Sequence, residues 1–205
     1  MAIAAAIQPT IAADEISKNA RLIEFAKAGE AERAKAVLDG GANPNTRNRK
    51  GETVLYLSAQ KGNLDLVRAL LDKGADVDLA NLDRVTPLMA ATYEGQADVV
   101  AHLLAKGANA TLTDQLGRSA LIYAVTRDCL RCAQDLLAAG VDVNLRHQHD
   151  LTALMWAAGS GSSLAVKWLL EQGADPSLLD DRGKDAREIA REQGHREVEG
   201  LLSGK

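Results

Sequence analysis

Gly41, Gly74, Gly107, Gly140 and Gly173 stand 33 residues apart, and that interval constrains the fold more than any other property of the chain. Each opens a similar tail: Gly41-Ala42-Asn43-Pro44-Asn45, Gly74-Ala75-Asp76-Val77-Asp78, Gly107-Ala108-Asn109, Gly140-Val141-Asp142-Val143-Asn144 and Gly173-Ala174-Asp175-Pro176. A second register with the same period is Thr53, Thr86, Ser119 and Thr152, followed two residues later by Leu55, Leu88, Leu121 and Leu154. A third is Gly29, Gly62, Gly95, Gly161 and Gly194, with Asp128 in the remaining slot. A period of this length marks a stacked array in which no unit buries its apolar face alone.

One unit, 48–80, shows how the residues build it. Asn48-Arg49-Lys50-Gly51-Glu52 reads as a turn, with glycine supplying positive φ. Thr53 caps a short helix over 54–60, and Lys61-Gly62-Asn63 breaks it. A second helix over 64–71 carries Leu66, Val67, Leu70 and Leu71 as one apolar stripe, and Gly74 stops it.

This pattern resembles the ankyrin repeat: Asp-x-x-Gly-x-Thr-Pro-Leu-His-x-Ala-Ala, then Gly-His, Val-Val-x-x-Leu-Leu and Gly-Ala-Asp-Val-Asn. The nearest single match is Thr86-Pro87-Leu88-Met89-Ala90-Ala91. The resemblance implies an all-α, ankyrin-type solenoid of helix-turn-helix repeats joined by short β-hairpin turns. It covers residues 15–203 and divides 15–205 into an N-cap (15–47), repeats 48–80, 81–113, 114–146 and 147–179, and a C-cap (180–205). The family His after Thr-Pro-Leu is replaced by Tyr56, Met89, Ile122 and Met155. The hairpin glycine is kept at Gly51, Gly117 and Gly183 but is Arg84 and Asp150 elsewhere, so the turn at 82–85 is expected to take another shape.

Composition narrows the function. Aromatics make up 3% of the 205 residues, which disfavours a deep aromatic-lined pocket. A net charge of -4 argues against a nucleic-acid partner. No apolar run reaches the ~20 residues of a membrane span, so no membrane insertion is expected. No converging titratable groups suggest an enzyme, and no cofactor is implied. A monomer is expected when the chain is free. Residues 1–14 lie before the repeat register. The uncharged stretch 1–13 reads as a signal-peptide remnant or as a flexible N-terminal extension. The first reading places the protein in the periplasm or outside the cell, the second in the cytoplasm.

Cys129 and Cys132 are the only pair with reactive potential: a local disulfide or redox pair, or a small core residue with an incidental neighbour. His147 and His149 flank a hairpin without a third ligand, so no metal site is expected.

In the ankyrin family the hairpin tips and first helices line a concave groove that binds proteins, so the resemblance implies a non-catalytic protein-binding module. The variable helix position implied to face the groove is Leu57, Ala90, Tyr123 and Trp156. Tyr93 ends a first helix, and the tips carry Leu82, Val85, Leu116, Arg118, His149 and Leu151. Tyr123 and Trp156 then form a binding hot spot, or pack together for the fold alone; the first reading is preferred. An accessory redox role through Cys129 and Cys132 is the alternative. Trp168 lies on the outer helix, covering a repeat boundary or forming a second contact.

Overall fold

The computed structural model describes residues 7–204. Helix α1 (Ile7–Ala28) packs on α2 (Ala31–Asp39). Five helix pairs follow: α3 (Val54–Gln60) with α4 (Leu64–Asp72), α5 (Pro87–Tyr93) with α6 (Ala97–Ala105), α7 (Ala120–Thr126) with α8 (Leu130–Ala138), α9 (Ala153–Ser160) with α10 (Ser163–Glu171), and α11 (Ala186–Glu192) with α12 (Arg196–Leu202). α1 runs unbroken across positions 14 and 15, where the sequence suggested a boundary. The proposed leader falls partly on residues 1–6, outside the described residues.

The first helices stack in order from α1 and α3 to α11, and α2, α4, α6 and α8 form a second layer. α10 continues that layer with α12, while α8 and α10 make its slackest junction. The core between the layers is built from the residues the periodicity marks, among them Leu55, Leu88, Leu121, Leu154, Leu70, Leu103, Leu136 and Leu169.

Capping explains the Thr register. The hydroxyls of Thr53, Thr86 and Thr152 accept from the backbone N–H of Tyr56, Met89 and Met155 at 3.0, 3.2 and 3.3 Å. Each such cap contributes about 1 kcal/mol. Ser119 holds the same place without a side-chain cap bond, and its Oγ lies 3.4 Å from His147 Nε2 instead.

The tails explain the Asn/Asp register. Asn45 and Asn144 Oδ1 accept from the N–H of Asp76 and Asp175, each at 2.8 Å, and Asp78 accepts from Asn109 N–H at 3.0 Å. Thr111 occupies the equivalent slot, and no such link reaches Asp142 among the described residues.

The turns at 48–52, 81–85, 114–118 and 180–184 share one shape. In each, the first Asn or Asp Oδ1 accepts two backbone N–H groups, as Asp114 does from Leu116 and Arg118 at 2.9 Å each. Arg84 adopts φ 62, beside 75, 74 and 76 for Gly51, Gly117 and Gly183, so the different shape expected at 82–85 does not occur. The closing bonds and the contact with the preceding turn hold the arginine in the left-handed region. The turns build no sheet among the described residues; one isolated antiparallel bridge joins Arg47 and Thr53.

Candidate functional site

The variable first-helix position does not face solvent as the sequence suggested. Leu57, Ala90 and Tyr123 are buried, and Tyr123 is 6% exposed. The cause is the stacking itself: each first helix has a neighbour on both sides, and this position points into that junction. Trp156 is half-buried. Exposure rises one turn later, where Tyr93 is exposed and Gln60, Thr126 and Gly159 are half-buried, and Lys61, Glu94, Arg127 and Ser160 after them are exposed.

Tyr123 is anchored from below. Its hydroxyl donates to Asp114 Oδ2 at 2.7 Å, and the same oxygen accepts from Arg118 Nε at 2.9 Å. Burial alone would raise the Asp114 carboxyl, but the Tyr123 hydroxyl, the Arg118 backbone N–H and the guanidinium hold it below the ordinary range. Burial, then the bond to Asp114, pushes the Tyr123 phenol well above its usual value. The Arg118 guanidinium lies 4.8 Å from the Tyr123 ring centre, so Arg118 is committed to this cluster and is not a free tip residue.

Tyr93 meets Tyr123 edge-to-face at 5.7 Å between ring centres and is 42% exposed. Arg127 covers the Tyr93 ring at 4.5 Å and its Nε donates to the Tyr93 carbonyl at 3.2 Å. The sequence reading missed Arg127. Its only signal was a long cation at the open end of a first helix.

The tips divide into two kinds. Leu82 and Leu116 are 64% and 65% exposed. Val85 and Leu151 are half-buried and pack against the core. His149 Nδ1 lies 2.7 Å from Asp181 Oδ2, tying one turn to the next. His147 stands where the other turns have Asn or Asp. It cannot accept two backbone N–H groups, and His149 and Asp150 both take positive φ (62 and 57) beside it. Among the described residues no group of three metal-ligating side chains gathers.

Two of the depressions that open on this face border its aromatic residues. One, about 280 Å³, is bounded by Tyr56, Val85, Tyr93, Arg118 and Tyr123. The other, about 320 Å³, is lined by Leu151, Met155, Trp156, Ile189 and Gly159, with Thr126, Ser160, Arg182 and Gln193 at its rim. Gly159 was also missed; the signal was a glycine inside a helical stretch and outside every periodic glycine register.

Cys129 and Cys132 are joined by a disulfide at the start of α8. Cys129 Sγ accepts the Cys132 N–H at 3.3 Å, and Cys132 is fully buried. Trp168 is buried in the core rather than forming an outer contact. His195 Nε2 donates to the Gly159 carbonyl at 3.1 Å across the last junction. No helix among the described residues is long and apolar enough to cross a membrane.

No curated protein matches this sequence. A family model described as ankyrin repeats matches it three times, over residues 22–114, 102–180 and 121–203. With the period, the paired helices and the capped turns in agreement with that match, the chain belongs to the ankyrin repeat family.

Proposed function

We propose that the chain binds a partner protein reversibly on the face formed by its hairpin tips and the open ends of its first helices. Ankyrin repeats are generally protein–protein interaction modules and typically non-catalytic. The observation that carries the reading is that three of the five large exposed hydrophobic residues among the described residues, Leu82, Tyr93 and Leu116, lie on this face, the others being Leu164 on α10 and Leu179. Leu82, Tyr93 and Leu116 stand proud beside two depressions. Exposed aromatic and aliphatic groups flanking hollows are what an interface anchor requires. The stack presents this surface preformed, so little ordering entropy is lost on binding.

The interface centres on Leu82, Tyr93, Leu116 and Trp156. Leu57 and Tyr123 support it from beneath. The free chain acts as a monomer. Its compartment lies outside the cytosol, a reading supported by the disulfide, which persists under oxidising conditions.

Capture from a lysate of the source cells tests this. Wild-type chain is compared with the triple variant Leu82→Asp, Tyr93→Ala and Leu116→Asp. A partner held by the wild type and lost by the variant, with both melting alike, is the expected result. Equal capture refutes the assignment of this face.

A further inference from the structure

We propose that the hollow beside Trp156 takes one large apolar side chain from an extended, acidic segment of the partner, whose carboxylates lie on the unpaired cations of the amino-terminal tips. The inference rests on the reading of this face as a protein-binding surface.

Gly159 carries the first part. It lies inside α9 with ordinary helical φ, so no backbone conformation calls for glycine there. A glycine in a helix interior costs stability relative to alanine. The earlier first helices carry Gln60, Tyr93 and Thr126 at this position. An added Cβ would come within 3.3 Å of Ile189 Cγ2, so the missing side chain both admits α11 this closely and leaves the hollow open beside Trp156. Its volume of about 320 Å³ suits a Phe, Trp or Leu side chain with room to spare. The Trp156 indole N–H is buried with no acceptor among the described residues.

Charge complementarity carries the second part. Arg49, Lys50 and Arg84 are exposed on the tips and make no ion pair among the described residues. By contrast Arg118 and Arg182 are each held by a buried aspartate at 2.7 Å. The free cations therefore cluster at one end of the face, where with Arg47 they outnumber the carboxylates of Glu52, Asp83 and Glu94 around Tyr56, although the whole chain carries a charge of -4. Neighbouring helices pack ~8–10 Å apart, so two to three repeats separate these cations from the hollow by ~16–30 Å. An extended segment covers that in about five to nine residues.

The probe is a displayed library of random 12-residue peptides, panned on the intact chain, with enriched peptides then synthesised. The expected peptides carry a carboxylate cluster and, five to nine residues away, a Phe, Trp or Leu. Gly159→Met fills the hollow and should weaken them at least tenfold; Gly159→Ala, whose Cβ comes within 3.3 Å of Ile189 Cγ2, should weaken them a few-fold, and melting curves of both variants check that the fold is kept. The charge reversal Arg49→Glu/Lys50→Glu/Arg84→Glu should weaken them tenfold and abolish most of their salt dependence. Peptides indifferent to both glycine variants, peptides without carboxylates, or no enrichment overturn the inference. So does a concentration-dependent dimer that Gly159→Met abolishes, which would give the hollow to a second copy. A failure of this kind leaves the protein-binding reading standing if the triple tip variant still loses its captured partner.

Discussion

Replacing Arg84 by glycine should make the chain more stable. Arg84 sits at φ 62 in a turn whose counterparts are glycines at 75, 74 and 76. A side chain in the left-handed region costs roughly 1–2 kcal/mol. Glycine returns about 0.5–1 kcal/mol of that through the greater freedom of the unfolded chain. The Arg84 side chain is exposed and makes no hydrogen bond or ion pair among the described residues, so little else is lost. The net gain is about 0.5–1 kcal/mol, or roughly 1–4 °C in melting temperature for a chain of this size. Gly183→Ala supplies the converse. An added Cβ at Gly183 meets nothing within 4 Å at φ +76, so its loss of about 1 kcal/mol is conformational alone. Gly117→Ala should cost more, because its Cβ would come within 2.6 Å of Gln148 Cβ. Urea and thermal denaturation followed by circular dichroism read all three. A less stable Arg84→Gly, or a neutral Gly183→Ala, refutes the assignment of strain to this turn position.

Tyr123→Phe removes one of the donors to buried Asp114 Oδ2 and should cost about 1.5 kcal/mol by urea denaturation; no loss would show the Arg118 guanidinium suffices alone. Burial lowers the His147 imidazole below its ordinary 6.5. Between the two values the unfolded chain holds a proton that the folded chain lacks. The contribution is thus fully present above about pH 6.5 and falls as pH drops below it. His147→Asp should flatten that dependence and, by supplying the acceptor that Asp114 gives its own turn, raise stability near pH 7 by about 1 kcal/mol; a melt series from pH 7.5 to 5 checks both. Thr111→Asn restores an acceptor for the Asp142 N–H, as Asn45 serves Asp76, and should add about 1 kcal/mol by the same assay. Gly107→Val forces a β-branched residue to φ +85 where a Cβ meets no neighbour, so a loss of about 2 kcal/mol would be purely conformational, and an unchanged melting temperature would contradict it.

The repeat, its helices and its stops were legible because they depend on local chemistry that recurs. Thr53 bonds three residues ahead and Gly74 turns the chain where it stands, so the sequence carries both signals whole. The candidate site was less legible because its determinants act between elements, within a repeat and across repeats. Nothing near Tyr123 announces that its hydroxyl reaches Asp114, nine residues earlier, and is thereby drawn beneath the surface. An aromatic at a variable position looked like an anchor, whereas the stacking of α7 between α5 and α9 buries it. The exposed set was nevertheless partly foreseen at Leu82, Leu116 and Tyr93. Arg84 misled in the opposite sense: local preference argued for a different turn, and bonding to the turns on either side imposed the common one.

Those ties between neighbours also bear on how stiff the binding face is. Backbone bonds link successive tips from Leu82 to Lys50, Gln115 to Asp83 and Asp181 to His149, but none joins Gln148 to Leu116 among the described residues. The tail links fail at Thr111, one junction earlier. Repeat 114–146 therefore lacks one of the two ties on each side, keeping Gln115 to Asp83 before it and Asp175 to Asn144 after it, and its helix α8 meets α10 only slackly. Side chains take over there. Toward the preceding repeat, Tyr123 packs edge-on against Tyr93, Arg127 bonds the Tyr93 carbonyl, and Arg131 meets Asp98 at 2.7 Å. Toward the following repeat, Ser162 donates to Asp128 and Ser119 approaches His147. The two tyrosines thus act as a joint first and a surface second. Tyr123 serves only the joint, and Tyr93, with its open edge, serves both. A partner that engages Tyr93 draws on a surface held in place by the same ring contact that closes the weakest-tied repeat into the stack.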